Sequence, residues 1–144
     1  MIKILCVGKI KESFFKEAIE EYKKRLSKYT KLEIIEVLDS TIDKEKELLL
    51  KHINDKDYII TLEIEGNNLS SVEFSKKIED TLMINPNIVF IIGGSVGLHD
   101  DIKKLSNYKL SFSKMTFPHQ LFRIILLEQI YRSFKIINNE SYHK

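Results

Sequence analysis

The chain carries five short runs rich in β-branched and aromatic residues, at 2–7, 32–38, 58–63, 88–92 and 108–113, and no two-residue hairpin turn joins any of them. Neighbouring antiparallel strands can be linked by a tight turn, whereas parallel strands need a crossover of about a dozen residues or more. The intervening segments have that length, and they read as helices over 11–29, 41–54, 72–83, 100–106 and 119 to about 138. Strand and helix therefore alternate throughout, which predicts an α/β domain with a mostly parallel sheet. Ser70 or Ser71 is placed to cap the third helix, with Glu73 reaching back from its first turn.

At 144 residues and 43% hydrophobic content, the chain suits one domain spanning 1–144. No apolar run has the length of a membrane span, and "MIKILCVGK" leads directly into a strand pattern without a signal-peptide layout, so a cytoplasmic protein is expected. Cys6 is the single cysteine and sits inside "IKILCVG", the setting of a small core residue rather than a reactive thiol.

Net charge is +2, but it is unevenly spread. Residues 1–31 carry nine Lys and Arg against four Glu, 32–101 carry six against fifteen Asp and Glu, and 102–144 carry eight against two. Two basic ends around an acidic middle are able to fold into one face for a polyanion, the alternative being ordinary solvated helix surfaces.

Within "LFRIILLEQIYRSF", Arg123 shares a helical stripe with Leu127, Ile130 and Phe134. A guanidinium on an apolar stripe needs either a carboxylate partner or a wet site that uses its charge. The first half of this helix is apolar on nearly every side, which points to packing beyond its own sheet, with a second subunit as the economical answer and a central position in the monomer as the other.

The four histidines, His52, His99, His119 and His143, form no pair at metal-ligand spacing, so no metal is assigned. No phosphate-binding GxxxxGK[ST] or GxGxxG is present, and "GGSVG" is not a nucleophile elbow. Three of the five glycines nevertheless fall at Gly93, Gly94 and Gly97, immediately after a buried strand. Ligand crevices in parallel sheets lie outside the carboxyl ends of strands. The loops "TLEIEGNNLSS" and "SFSKMTFPHQ" also follow strands, and the three together are placed to line one pocket.

With these residues in view, the chain resembles the SPOUT class of methyltransferases and, within it, the family that methylates a pseudouridine of large-subunit ribosomal RNA, often called RlmH. The resemblance rests on "IKILCVGKIKE", "ITLEIEGNNLSSVEF", "VFIIGGSVGL", "LSFSKMTFPHQLFRIILLEQIYRSFKI" and the closing "YHK", nearly the whole chain. It implies a homodimer of parallel α/β domains with a C-terminal trefoil knot, about 88–138 here. It further implies methyl transfer from S-adenosyl-L-methionine to N3 of a pseudouridine in 23S rRNA on the assembled ribosome, without metal or membrane.

Position by position, the resemblance carries the cofactor contacts onto Leu62, Gly93, Phe112, Ser113, Lys114, Met115, Thr116 and Phe117. It also suggests that the terminus folds over the site, bringing Tyr142 and His143 near the acceptor. Arg123 then reads as a helix residue at the dimer seam and pocket edge. Glu128 has a local partner in Arg132 at i+4, which leaves Arg123 freer for RNA. The segment between Asp39 and Leu48 is shorter than the family pattern, so a substrate role for that loop does not carry over.

Overall fold

The computed structural model describes residues 1–144. Five strands, β1 (Ile2–Val7), β2 (Leu32–Val37), β3 (Tyr58–Asn68), β4 (Ile88–Ile92) and β5 (Tyr108–Ser111), form one sheet in the order β2-β1-β4-β3-β5. Every pairing is parallel, as the crossover lengths require. The helices are α1 (Ser13–Leu26), α2 (Ile42–Leu50), α3 (Ser71–Ile84), α4 (Asp100–Leu105) and α5 (His119–Ile137).

Central strands β1 and β4 are buried along their whole lengths, the pattern expected of strands covered on both faces. Side chains alternate between the two layers. Ile2, Ile4 and Cys6 join the cluster beneath α1, α3 and α5, while Leu5 and Val7 join Leu49 and Ile102 beneath α2 and α4. Cys6 is fully buried at 0% exposure, and burial pushes its thiol up to about 11, so it behaves as a core residue. At the start of α3, Ser70 and Glu73 form the reciprocal capping box, which holds the Glu73 carboxyl below its ordinary range through hydrogen bonds from Ser70.

Two expectations are revised. Strand β3 runs to Asn68 rather than stopping at residue 63, because Asn67 and Asn68 donate side-chain hydrogen bonds to Lys109 O and Ser111 O of β5 at 3.0 and 2.8 Å. The apolar half of α5 also finds part of its cover inside its own chain. The helix lies between α1 and α3, where Leu126, Leu127 and Ile130 are all 0% exposed, while Leu121 at its start stays 36% exposed. Only the buried face of α5 is accounted for without a second subunit.

Candidate active site

All five strands end at one edge, and a cavity of about 890 Å³ opens there between the segments that follow β3, β4 and β5. Its first wall comes from a break in register. Leu62 and Asn67 of β3 both face Leu110 of β5, so residues 63–66 make an excursion out of the ladder, and 63–65 border the cavity. Gly66 allows that excursion to close on β5, since a Cβ there would meet the Lys109 backbone at 2.8 Å. Thr61, fully buried, donates to Glu63 Oε2 at 2.6 Å and fixes that carboxylate at the rim.

The second wall is the turn after β4. Gly97 N donates to Gly94 O at 3.0 Å, and Gly97 adopts φ +76°, a left-handed conformation that favours glycine. A Cβ on Gly93 would meet Gly97 C and O at 2.8 Å, and one on Gly94 would meet Val7 Cγ1 at 2.9 Å. These glycines thus serve the turn's own closure as well as the cavity. His99 anchors the far side of the turn, accepting from Asp101 N through Nδ1 at 2.9 Å while Nε2 lies 3.0 Å from Asp43 Oδ1.

The third wall, residues 112–118, crosses the carboxyl edge from β5, on the outside of the sheet, to the end of β1, where α5 starts. Aromatic contacts tie this crossing to the core. Phe112 meets Phe122 edge-on at 5.0 Å and Phe74 at 6.2 Å, and Phe117 lies 5.9 Å from Phe122. Ser113 Oγ accepts from Met115 N at 3.0 Å, which shapes the bend.

Leu62, Gly93, Phe112, Ser113, Met115, Thr116 and Phe117 are thereby brought together around one cavity. Lys114 is exposed and does not line it. Glu63, Glu65 and His119, which fall within the loops expected to line the pocket but carry no role there, do line it, as do Lys103 and Phe122. The spacing of His119 excludes it only as a metal ligand; its position directly after Pro118, at a loop-to-helix junction, is the signal the sequence offers.

Arg123 resolves to the carboxylate alternative. It is 1% exposed, donates from Nη1 to Glu36 Oε2 at 2.8 Å, and donates from Nη2 to Val7 O and Gly8 O at 2.8 and 2.7 Å. Glu36 Oε2 also accepts from Ile10 N at 2.9 Å. The expectation of a charge left free for RNA is corrected: the guanidinium is spent on the ends of β1 and β2, and only Nε lacks an acceptor. Glu128 does pair with Arg132, as the spacing predicts, with Arg132 Nε donating to Oε1 at 3.2 Å.

Tyr142 and His143 are not over this cavity. Tyr142 donates to Glu128 Oε2 at 3.0 Å and meets Tyr131 edge-on at 5.0 Å, while Arg132 Nη1 lies 3.1 Å from His143 Nδ1. Burial and the Glu128 carboxylate raise the Tyr142 phenol above its ordinary value. Arg132 is thirteen positions along α5 from His119, ~20 Å at 1.5 Å per residue, so the tail lies along α5 well away from its own chain's cavity.

Two carboxylates, Asp39 and Glu45, flank the glycine turn, with Asp39 Oδ1 3.8 Å from where a Cβ on Gly94 would stand. Glu45 is 2% exposed and accepts from Ser40 N through Oε2 at 2.9 Å, whereas its Oε1 has no donor. Burial, with the neighbouring Asp39 carboxylate, raises the Glu45 carboxyl above its ordinary range. No group of three or more His, Cys, Asp or Glu is arranged to hold a metal, and no helix is long and apolar enough to cross a membrane.

The cavity has the volume of a small-molecule site, with apolar walls at Leu62, Ile92 and Leu98 and charged groups at Glu63, Glu65 and Lys103. Comparison with known proteins follows the same line. The family described as predicted SPOUT methyltransferase matches residues 1–143. Proteins named ribosomal RNA large subunit methyltransferase H from Clostridium botulinum strains Langeland and Kyoto are 53% and 54% identical, with 99% of this chain and 99% of each relative covered. Their alignments span 157 positions, so the relatives carry residues that this 144-residue chain lacks. A solved structure of a probable methylase family protein from Haemophilus influenzae Rd KW20 shares the fold, with TM-score 0.61 at 12% identity over 99% of this chain and 70% of that one.

Proposed function

The chain belongs to the SPOUT methyltransferases, in the ribosomal RNA large subunit methyltransferase H family, and from that premise we propose that it transfers a methyl group from S-adenosyl-L-methionine to N3 of a pseudouridine in 23S rRNA. The observation that carries the reading is the convergence of three strand-end segments on one cavity in a chain 53% identical throughout to a protein of that name. When bound, S-adenosyl-L-methionine supplies an electrophilic methyl carbon on a sulfonium. Leu62, Gly93 and the run Phe112, Ser113, Lys114, Met115, Thr116 and Phe117 would hold it, Lys114 through its backbone.

The protein's main task is alignment, since positioning two reactants is worth up to ~7 to 11 kcal/mol of a barrier. Residues 112–118 contribute because both ends of the crossing are fixed. Ser111 at one end is paired in the sheet, and at the other Arg123 locks α5 to β1 and β2. Arg123 is a positioning residue on this reading, acting on the substrate only through the segment it holds.

A C-terminal trefoil knot is supported by the route of residues 112–118, which pass the ends of β3 and β4 before α5 packs on the opposite face from α4. A homodimer is supported by exposed apolar side chains around the same edge. Phe14 is 61%, Val72 54%, Met115 73% and Leu121 36% exposed, and the starts of α1 and α5 are joined by Lys11 N donating to Gln120 Oε1 at 3.4 Å. Dimerisation also gives the tail a use. Tyr142 and His143 lie far from their own cavity, so a place beside the acceptor requires that they enter the site of a second copy. The basic flanks fit ribosomal RNA, with α1 and α5 side by side on one face, and a ribosomal substrate places the enzyme in the cytoplasm.

The test is transfer of labelled methyl groups to ribosomes that carry the pseudouridine but lack its methyl group, with the product nucleoside identified by mass. Label on N3 is expected. Label on another nucleotide would refute the substrate, and a protein that does not bind S-adenosyl-L-methionine in calorimetry would refute the enzyme.

A further inference from the structure

Methylation at N3 requires that a proton leave the ring nitrogen, and no residue of the chain's own cavity has been given that step. We infer that His119 accepts it, an assignment that rests on the proposed reaction. Of the four histidines, His119 is the one that lines the cavity. His99 is committed at both nitrogens, Nδ1 to Asp101 N and Nε2 to Asp43 Oδ1. His143 is engaged by Arg132, and His52 follows α2, its carbonyl taken by Lys3 Nζ at 3.0 Å. The His119 ring is half-buried and makes no hydrogen bond in the structure, so its lone pair is uncommitted.

Its placement is fixed without being blocked. Pro118 precedes it, and Phe122 N donates to Pro118 O at 2.9 Å in the first turn of α5. Nε2 lies 3.5 Å from where a Cβ on Gly8 would stand, and Arg123 Nη2 lies 3.7 Å from that same point. Gly8 has φ +93° and no side chain, which leaves room for the imidazole beside the end of β1. This end of the cavity adjoins the loop carrying Lys9 and Lys11, both exposed, the side from which a phosphate-bearing nucleotide would arrive. The other cavity bases differ in kind: Glu63 accepts from Thr61, and carboxylates are weaker bases than imidazole for a ring N–H.

The step balances. The N3–H bond breaks and its proton passes to the imidazole; the N3 electron pair forms the new N–CH3 bond while the S–CH3 bond breaks, and sulfur keeps that pair as a thioether. The imidazolium then returns its proton to solvent.

The experiment measures single-turnover methyl transfer to under-methylated ribosomes across pH for the unaltered protein, His119→Gln, His119→Ala and His143→Gln, with S-adenosyl-L-methionine affinity by calorimetry. His119→Gln is expected to bind the methyl donor normally, to transfer about a hundred-fold or more slowly, and to lose the acidic limb of the pH profile. Added imidazole should restore part of the rate to His119→Ala. An unchanged rate and profile would overturn the inference, as would a profile that responds to His143→Gln alone or a rate defect explained by lost donor affinity. If the unaltered protein methylates a position other than N3, the proposed reaction itself fails, which the control reveals separately.

Discussion

Nη1 of Arg123 lies 2.8 Å from Oε2 of Glu36, across 87 residues of chain, and this contact ties the start of α5 to the end of β2. The same guanidinium donates to both carbonyls at the end of β1, so one side chain fastens three elements at the edge where the cavity opens. Glu36 keeps 32% of its side chain exposed while Arg123 keeps 2%, so the desolvation cost falls mainly on the arginine.

Arg123→Ala should therefore destabilise the protein by about 3 kcal/mol, the low end for removing one partner of a buried pair. Urea unfolding measures it. A loss below about 1 kcal/mol, with methyl transfer abolished, would return Arg123 to a direct role at the substrate.

Glu45→Gln should raise thermal stability at neutral pH by a few degrees, because the amide NH2 can donate to the neighbouring Asp39 carboxylate in place of the buried Oε1, which finds no donor. The pH dependence has a definite sign. Burial raises the Glu45 carboxyl, so the folded state binds more protons than the unfolded one between the ordinary carboxylate pKa and the raised value. Stability conferred by the proton is present below that window and declines as pH rises through it. Melting curves from pH 4 to pH 8 should show the advantage of Glu45→Gln growing with pH; an advantage that is flat with pH would contradict the protonation argument.

Gly93→Val should abolish S-adenosyl-L-methionine binding in calorimetry and also lower the melting temperature. Both follow from one clash, since even the first carbon of the side chain meets the Gly97 backbone at 2.8 Å. Full affinity in a folded variant would exclude this turn from the methyl-donor site.

Light scattering should give twice 16.9 kDa. Removal of residues 142–144 should preserve that mass and methyl-donor binding while ending turnover, because Tyr142 packs only at the margin of the core, on Tyr131, and hydrogen-bonds Glu128. A dimer lacking these residues that still turns over normally would show that the tail has no part in the site.

The alternation of elements was legible in the sequence because β1 and β4 are short runs rich in Ile and Val, and their ends match the expected positions. The end of β3 was not, since 64–68 is a polar stretch whose strand character comes from Asn67 and Asn68 bonding to β5. The Ser70–Glu73 box was legible because its partners are three residues apart; the Arg123–Glu36 pair was not, because only the folded sheet brings β2 to α5. For the tail, the motif was visible but not its direction, which is set by Tyr131, Glu128 and Arg132 on the outer turns of α5.

The bonds from Arg123 to Val7 and Gly8 span 116 and 115 residues, most of the chain. Contacts of such sequence separation are costly to form early, because a long loop must close before they are gained. During synthesis, β1 to β4 emerge while the segment that seals their shared edge is still missing. The larger apolar layer stays open until α5 has been made, so completion of the core is expected to be the last event of folding, which the timing of burial of Leu126 and Leu127 would show.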